Sequence, residues 1–316
     1  MKSKLKGLRK VSLATAVMIT STFFSGLSIH AVENEDVWQL ANASVEKKDE
    51  NDVYLSFGSG QKARITFLNE DVFRIDVEQK GEEFEEYPEP MASTHTTKIT
   101  AKSESDYEAE VIVEANISED DNTIEINGGN VKLLVDKETA KMELKNKDGK
   151  TVWKEAESLK YDGTETVQTL DTDENEYFYG GGQQNGFFSH KNRKILIENK
   201  STWVSGGVSS PSPFYMSSNG YGAMRNTFQP GSYDFSSTAK LEHDENRFDA
   251  YYFVGDNMKD VLGDYVELTG NPMFMPKYAF NQGNADCYNG DGEELLDDGV
   301  ARAKKYVEND LSLIHI

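Results

Sequence analysis

Between Val53 and Glu155 the chain alternates apolar and polar residues with a period of two. Ala63, Ile65 and Phe67 are separated by Arg64 and Thr66, and Phe73, Ile75 and Val77 by Arg74 and Asp76. Ala109, Val111, Val113 and Ala115 keep the same rhythm. Ile124 and Ile126 run into Gly128-Gly129, after which Val131, Leu133 and Val135 resume it. Met142 and Leu144 lead into the turn Asn146-Lys147-Asp148-Gly149 and on to Val152 and Trp153. Successive side chains of a strand point to opposite faces, so this rhythm gives each strand one apolar and one polar face. Short alternating strands parted by turn residues, with no helical period, predict an antiparallel β-sandwich.

From Tyr177 to Phe253 aromatic residues, glycine, serine and asparagine dominate, and Tyr251-Tyr252-Phe253 reads as one more buried strand. The period then changes. Asp256 is the expected cap of a helix through Leu268, with Met258, Val261, Leu262, Tyr265 and Val266 as its apolar face and Gly270 as its stop. Pro272 and Pro276 bracket a linker, and Tyr278 to Gly283 reads as a short buried strand. A second helix is expected from Glu293 to Glu308, with Leu296, Val300, Ala303 and Val307 at helical spacing. Strand, loop and helix form the first unit of a parallel α/β fold. Residues Leu311 to Ile316 break off where a second such strand would begin, so the chain reads as a fragment. The acidic stretches Glu82–Glu89 and Asp171–Glu176 are read as solvated loops.

The N-terminus has its own pattern. Lys2, Lys4, Lys6, Arg9 and Lys10 precede an uncharged apolar run from Val11 to about Leu27, and Ala31 supplies a small residue at a cleavage point. This is the form of a secretory signal peptide. The competing form, an uncleaved anchor, is disfavoured because Ser12, Thr15, Thr20, Ser21 and Thr22 dilute the run. The expected organisation is therefore a signal peptide over 1–31, a β-sandwich domain over 32–255, and a linker helix with the start of a second domain over 256–316. The expected location is outside the cell or at its surface, with no membrane span after cleavage.

Charge narrows the partners. The 316 residues carry 33 Lys+Arg against 55 Asp+Glu, a net of −22, and loss of residues 1–31 removes only basic groups. Such a surface repels nucleic acid and anionic lipid and suits a neutral ligand. Cys287 is the single cysteine, which excludes an intrachain disulfide and leaves stability to a large packed core. Five scattered histidines give no metal spacing, no acidic stretch has the oxygen spacing of a calcium loop, and no cofactor is expected. His190 and His243 are read as surface or loop residues.

The densest candidate chemistry is Tyr177-Phe178-Tyr179-Gly180-Gly181-Gly182-Gln183-Gln184-Asn185-Gly186. Three glycines after an aromatic strand allow positive φ and close backbone approach, while a phosphate cradle would need a following lysine and a helix. The amides of Gln183, Gln184 and Asn185 offer the paired donors and acceptors that sugar hydroxyls require, or alternatively satisfy a tight turn. A second cluster holds Trp203, Gly206-Gly207, Ser209 to Tyr215 and Asn219-Gly220-Tyr221-Gly222. Aromatic rings set among amides and hydroxyls suit a pyranose. Asn219-Gly220 is equally a hairpin signal, and Phe214, Tyr215 and Tyr221 are read as core.

Several stretches, in order, resemble glycoside hydrolase family 31. They are Arg64-Ile65-Thr66-Phe67 through Phe73-Arg74-Ile75, the Tyr177–Gly182 glycine loop and Ser217-Ser218-Asn219-Gly220-Tyr221-Gly222. The most specific is Tyr252-Phe253-Val254-Gly255 with Met258-Lys259-Asp260-Val261, Tyr265, Leu268-Thr269-Gly270, Pro272 and Pro276. The resemblance implies a mainly β fold: a galactose mutarotase-like antiparallel β-sandwich followed by the first strand and helix of a (β/α)8 barrel. It also implies a retaining α-glycoside hydrolase with an aspartate nucleophile and an aspartate acid/base, about 5 Å apart, both on barrel strands beyond residue 316. No catalytic residue is therefore assigned within the chain. By the same resemblance the end of the first barrel strand, Asn284 to Asn289, faces the deepest sugar subsite. Asp286, Tyr288, Gln183, Asn185 and Trp203 are the expected substrate contacts. The text Asp286-Cys287-Tyr288-Asn289 departs from the usual α-glucosidase wording. With Gln184-Asn185-Gly186 and Ser210 to Tyr215 it resembles the branches acting on α-galactosides or α-N-acetylgalactosaminides. The alternative is a secreted carbohydrate-binding protein without catalysis.

Overall fold

The computed structural model describes residues 37–84, 113–200 and 204–271, with residue 276 and the pairs 283–284 and 312–313. Two antiparallel sheets hold most of them. The eight-stranded sheet runs β2 (Ser44–Lys48), β3 (Asp52–Ser56), β4 (Lys62–Phe67), β5 (Val72–Glu78), β18 (Phe248–Val254), β15 (Tyr221–Arg225), β14 (Val208–Ser217) and β12 (Phe178–Gln184). The ten-stranded sheet runs β6 (Asn116–Glu119), β7 (Thr123–Gly128), β8 (Val131–Asp136), β9 (Met142–Lys145), β10 (Thr151–Tyr161), β11 (Thr166–Leu170), β17 (Ala239–His243), β16 (Gly231–Asp234) and β13 (Lys194–Ile197), with β1 (Trp38–Gln39) against β10. The predicted β-sandwich is the observed fold. The Asn219-Gly220 turn joins β14 to β15 in register from Ser217↔Tyr221 to Phe214↔Met224, as its turn chemistry requires.

The main core lies between the sheets. Phe73 stacks on Tyr252 with centroids 5.2 Å apart, and Trp153 of the opposite sheet leans on the same ring at 5.2 Å. A polar bridge crosses this core. Tyr252 Oη donates to Gln168 Oε1 at 2.8 Å, Gln168 Nε2 donates to Glu155 Oε1 at 3.2 Å, and the Met142 amide donates to Glu155 Oε2 at 3.0 Å. Burial pushes the Glu155 carboxyl up to about 8, against the pull of those two donors.

A second apolar cluster covers the outer face of the eight-stranded sheet beneath helix α1 (Met258–Thr269). Val72, Phe214, Met224, Tyr251 and Phe253 meet Val261 and Leu268 there. Tyr265 stacks on Phe214 at 3.7 Å. Two details of the expected helix are corrected. Asn257, not Asp256, is the cap: its Oδ1 accepts from the amides of Lys259 and Asp260 at 2.9 and 3.4 Å, whereas Asp256 pairs with Lys147 at 3.0 Å. Met258 and Leu262, expected on the buried face, are 38% and 43% exposed, because the helix is rotated to seat Val261 and Leu268. Gly270 ends the helix as expected, at φ 88°.

Burial also corrects the two-faced reading of β5, every residue of which is buried, including Arg74 and Asp76. The strand read as buried around Tyr251 to Phe253 is β18, and it is buried throughout, Asp249 included. Gly283–Asn284 (β19) and Ser312–Leu313 (β20) pair in parallel. The rest of the strand expected from Tyr278 and the helix expected from Glu293 to Glu308 lie outside the described residues. So do residues 1–31, Ala109 and Val111.

Candidate functional site

One edge of the eight-stranded sheet is β12, and its three glycines shape it. Gly180, Gly181 and Gly182 all lie at positive φ, 107°, 72° and 75°, a region that costs other residues strain. The register with β14 shifts between Gly180↔Tyr215 and Gly182↔Pro211: one β12 residue, Gly181, faces three of β14, Ser212 to Phe214, so the bulge lies in β14 opposite the glycines. A Cβ on Gly182 would sit 2.2 Å from the Ser210 carbonyl oxygen, and one on Gly180 2.7 Å from that of Phe214. The glycines are thus required by close approach as well as by dihedral angle.

Hydrogen bonds from outside the strand hold the carbonyls of this stretch. His190 Nε2 bonds the Gly180 oxygen at 2.9 Å, and the His190 amide donates to the Phe178 oxygen at 2.9 Å. Gln184 Nε2 donates to the Gly181 oxygen at 2.8 Å and the Leu196 oxygen at 2.9 Å, tying β12 to the edge of the other sheet. Asn185 starts the following loop. Its amide donates to Gly207, its carbonyl accepts from Gly206, both at 2.8 Å, and its Oδ1 accepts from Ser209 Oγ at 3.0 Å.

Two cavities border this loop. One, of about 530 Å³, opens between β12 and the first turn of α1, and Tyr179, Phe187, Phe188, Met216, Met258 and Leu262 give it an apolar wall. The other, of about 230 Å³, is polar and lined by Gln184, Asn185, Asn192, Arg193 and Lys194. His190 lines both. Phe188 is 89% exposed and meets Tyr179 edge-on at 5.6 Å, while the Arg193 guanidinium lies 3.3 Å from the Phe187 ring centre. Large exposed rings beside amides supply an apolar face and directional hydrogen bonds together, which is the chemistry of a carbohydrate contact.

Of the expected contacts, Gln183 is exposed and paired in register with Ser210, and Asn185 sits half-buried at the mouth of the polar cavity. Trp203, Asp286 and Tyr288 lie outside the described residues. Phe214, Tyr215 and Tyr221 are core, as expected. Phe187 and Phe188 were not among the expected contacts, since an aromatic pair after a turn reads equally as core. His190 and His243 are corrected from surface to interior. His190 is 3% exposed, and burial holds its pKa below the usual imidazole range. His243 is fully buried between the Tyr233 hydroxyl and the Gln229 oxygen, each at 3.0 Å, and burial takes it down to about 3. Glu176 is likewise corrected from the solvated loop to the interior, where its Oε1 accepts from Ser217 Oγ at 2.5 Å.

A family profile described as the glycosyl hydrolase 31 N-terminal galactose mutarotase-like domain matches residues 62–234. An alpha-xylosidase of Emericella nidulans is 31% identical over 120 residues, which cover 36% of this chain and 15% of that protein. Alpha-glucosidase 2 of Bacillus thermoamyloliquefaciens is 22% identical over 232 residues, 68% of this chain and 27% of that protein. The chain therefore spans a minor part of either relative's length. Among solved structures, a GH31 dextranase of Flavobacterium johnsoniae complexed with isomaltotriose superposes with a TM-score of 0.71 at 16% identity, covering 87% of this chain and 33% of that one. A cycloalternan-forming enzyme of Listeria monocytogenes in complex with a pentasaccharide gives 0.65 at 18% identity, over 88% and 26%. At these identities the likeness to the solved structures is one of fold.

Proposed function

The chain belongs to glycoside hydrolase family 31, and from that premise we propose that it is the N-terminal part of a secreted, retaining α-glycosidase. The observation that carries the reading is the β12 edge. Exposed Phe187 and Phe188 stand with Gln184 and Asn185 around two open cavities, in a domain whose relatives include an alpha-xylosidase and an alpha-glucosidase. In this reading the catalytic carboxylates belong to a barrel beyond this chain. One forms a glycosyl-enzyme bond, and the other protonates the leaving oxygen and then activates water. The sandwich contributes binding: a ring face for the apolar side of a sugar, and amides for its hydroxyls. The substrates are α-glucosides, α-galactosides or α-N-acetylgalactosaminides.

The test is the full-length secreted protein against a panel of nitrophenyl α-glycosides, with product configuration followed by NMR. Turnover of at least one with retained configuration is expected, and residues 1–316 alone should show none. A folded full-length protein that binds oligosaccharides without cleaving any of the panel would overturn the catalytic reading in favour of a carbohydrate-binding protein. Inverted product would overturn the mechanism.

A further inference from the structure

A run of three glycines has almost no conformational preference of its own, so its shape must be imposed from outside. In this molecule one side chain does much of that. His190 takes the Phe178 carbonyl with its amide and the Gly180 carbonyl with its ring, each at 2.9 Å. A carbonyl can only accept, so Nε2 carries the proton. In the neutral ring Nδ1 is then a bare lone pair, and it is buried without a hydrogen-bond partner. The same ring forms wall between the apolar cavity and the polar one.

We propose that His190 is a positioning residue for the carbohydrate site: its neutral imidazole locks the Gly180–Gly182 run, thereby sets loop 185–188 against both cavities, and releases it when Nδ1 gains a proton. This rests on the reading of that loop as a carbohydrate contact. A protonated Nδ1 would be a buried cationic donor with no acceptor, which is costly. The charged side chains that share its cavities are cations, Arg193 and Lys194 on the polar side and Lys259 from α1 on the other. Lys191, next in the chain, is held at the Glu174 carbonyl, and Glu176, before β12, is engaged by Ser217. Tyr179 is the titratable group of β12 in the same wall. Burial first, and Arg193 in addition, disfavour the charged ring. The lock therefore holds at neutral pH and opens on acidification.

The experiment uses the full-length protein and the α-glycoside it cleaves. His190→Leu is expected to raise KM about tenfold with kcat changed by less than about threefold, the mark of lost positioning rather than lost chemistry. His190→Gln, whose amide can donate to the same carbonyl, is expected to restore KM. Wild-type KM should climb as the pH falls below the ordinary imidazole range, while that of His190→Gln stays flat. Amide exchange across residues 183–190 should rank the three proteins in the same order. An unchanged KM in His190→Leu overturns the proposal, as does a His190→Gln as impaired as the Leu variant, or lower stability with normal KM. If the wild type cleaves no α-glycoside, the functional reading falls and exchange decides alone. Faster exchange in His190→Leu, restored in His190→Gln, sustains the positioning role, and equal protection in all three at about pH 5 and pH 7 removes it.

Discussion

On the ten-stranded sheet, β7, β8 and β9 alternate buried and part-exposed positions along their whole length. Glu125 and Lys132 pair across its outer face at 2.9 Å, each about a third exposed. On the eight-stranded sheet, β5 carries the same alternation of apolar and polar residues, yet both of its faces are buried, as are those of β18 beside it. One face joins the inter-sheet core. The other is covered, partly by α1, and its polar residues survive there as a network. Arg74 Nε and Nη2 donate to the two oxygens of Asp249, both at 2.8 Å. Asp76 is approached by Arg74 at 3.2 Å and Arg64 at 3.3 Å, and Asn226 Nδ2 donates to Asp249 Oδ2 at 2.7 Å. Burial pushes both carboxyls up. At Asp249 the charge and donors of Arg74 outweigh it and hold the group below the usual carboxylate range, while at Asp76 the neighbouring Asp249 charge adds to the rise. An ion pair on a wet face is a minor contributor, whereas one under cover becomes a condition of folding, because losing one partner strands the other.

The largest effect follows directly. Arg74→Ala should destabilise the fold by about 3 to 5 kcal/mol, since it leaves Asp249 buried without its main counter-charge. Urea unfolding measures it, and a loss under about 1 kcal/mol would mean that the covered face tolerates charge as a wet one does. Next is the inter-sheet bridge at Glu155. Its folded pKa of about 8 exceeds its ordinary 4.5, so its contribution is full below about pH 4.5 and is lost as pH rises through 8. Between about pH 5 and 9 the wild type should lose roughly 2 to 4 kcal/mol relative to Glu155→Gln. Parallel unfolding curves for the two proteins across that range would show the carboxyl to be ionised in the fold at no cost. The smallest effect belongs to the wet face. Lys132→Ala should change stability by less than about 0.5 kcal/mol, and a shift as large as that of Arg74→Ala would erase the distinction between the two sheets.

The candidate site was readable in the same uneven way. Three successive glycines announced positive φ, and Gly180, Gly181 and Gly182 all adopt it. Gln183 and Asn185 were visible as hydrogen-bonding groups, and both stand at the edge. His190 gave no such signal, because its role depends on a turn that returns the chain ten residues later to the carbonyl of Gly180. Phe187 and Phe188 could not be told from core aromatics such as Phe214, since ring chemistry is the same in either place.

Local chemistry therefore set the strands, the Asn219-Gly220 hairpin, the end of α1 at Gly270 and the positive φ of the glycine run, each of which depends on neighbours within a few residues. Tertiary structure decided what covers each face. It buried Arg74 and Asp76 between strands that look two-faced, took Met258 and Leu262 out of the helix's buried side, and brought His190 and the exposed aromatic pair to one edge. Burial is a property of the layer above a residue, and that layer comes from elements far away in sequence, such as β18 beside β5 and α1 over β15. Alternation reports only which side a residue points to, and desolvation acts on whatever the other elements then place there.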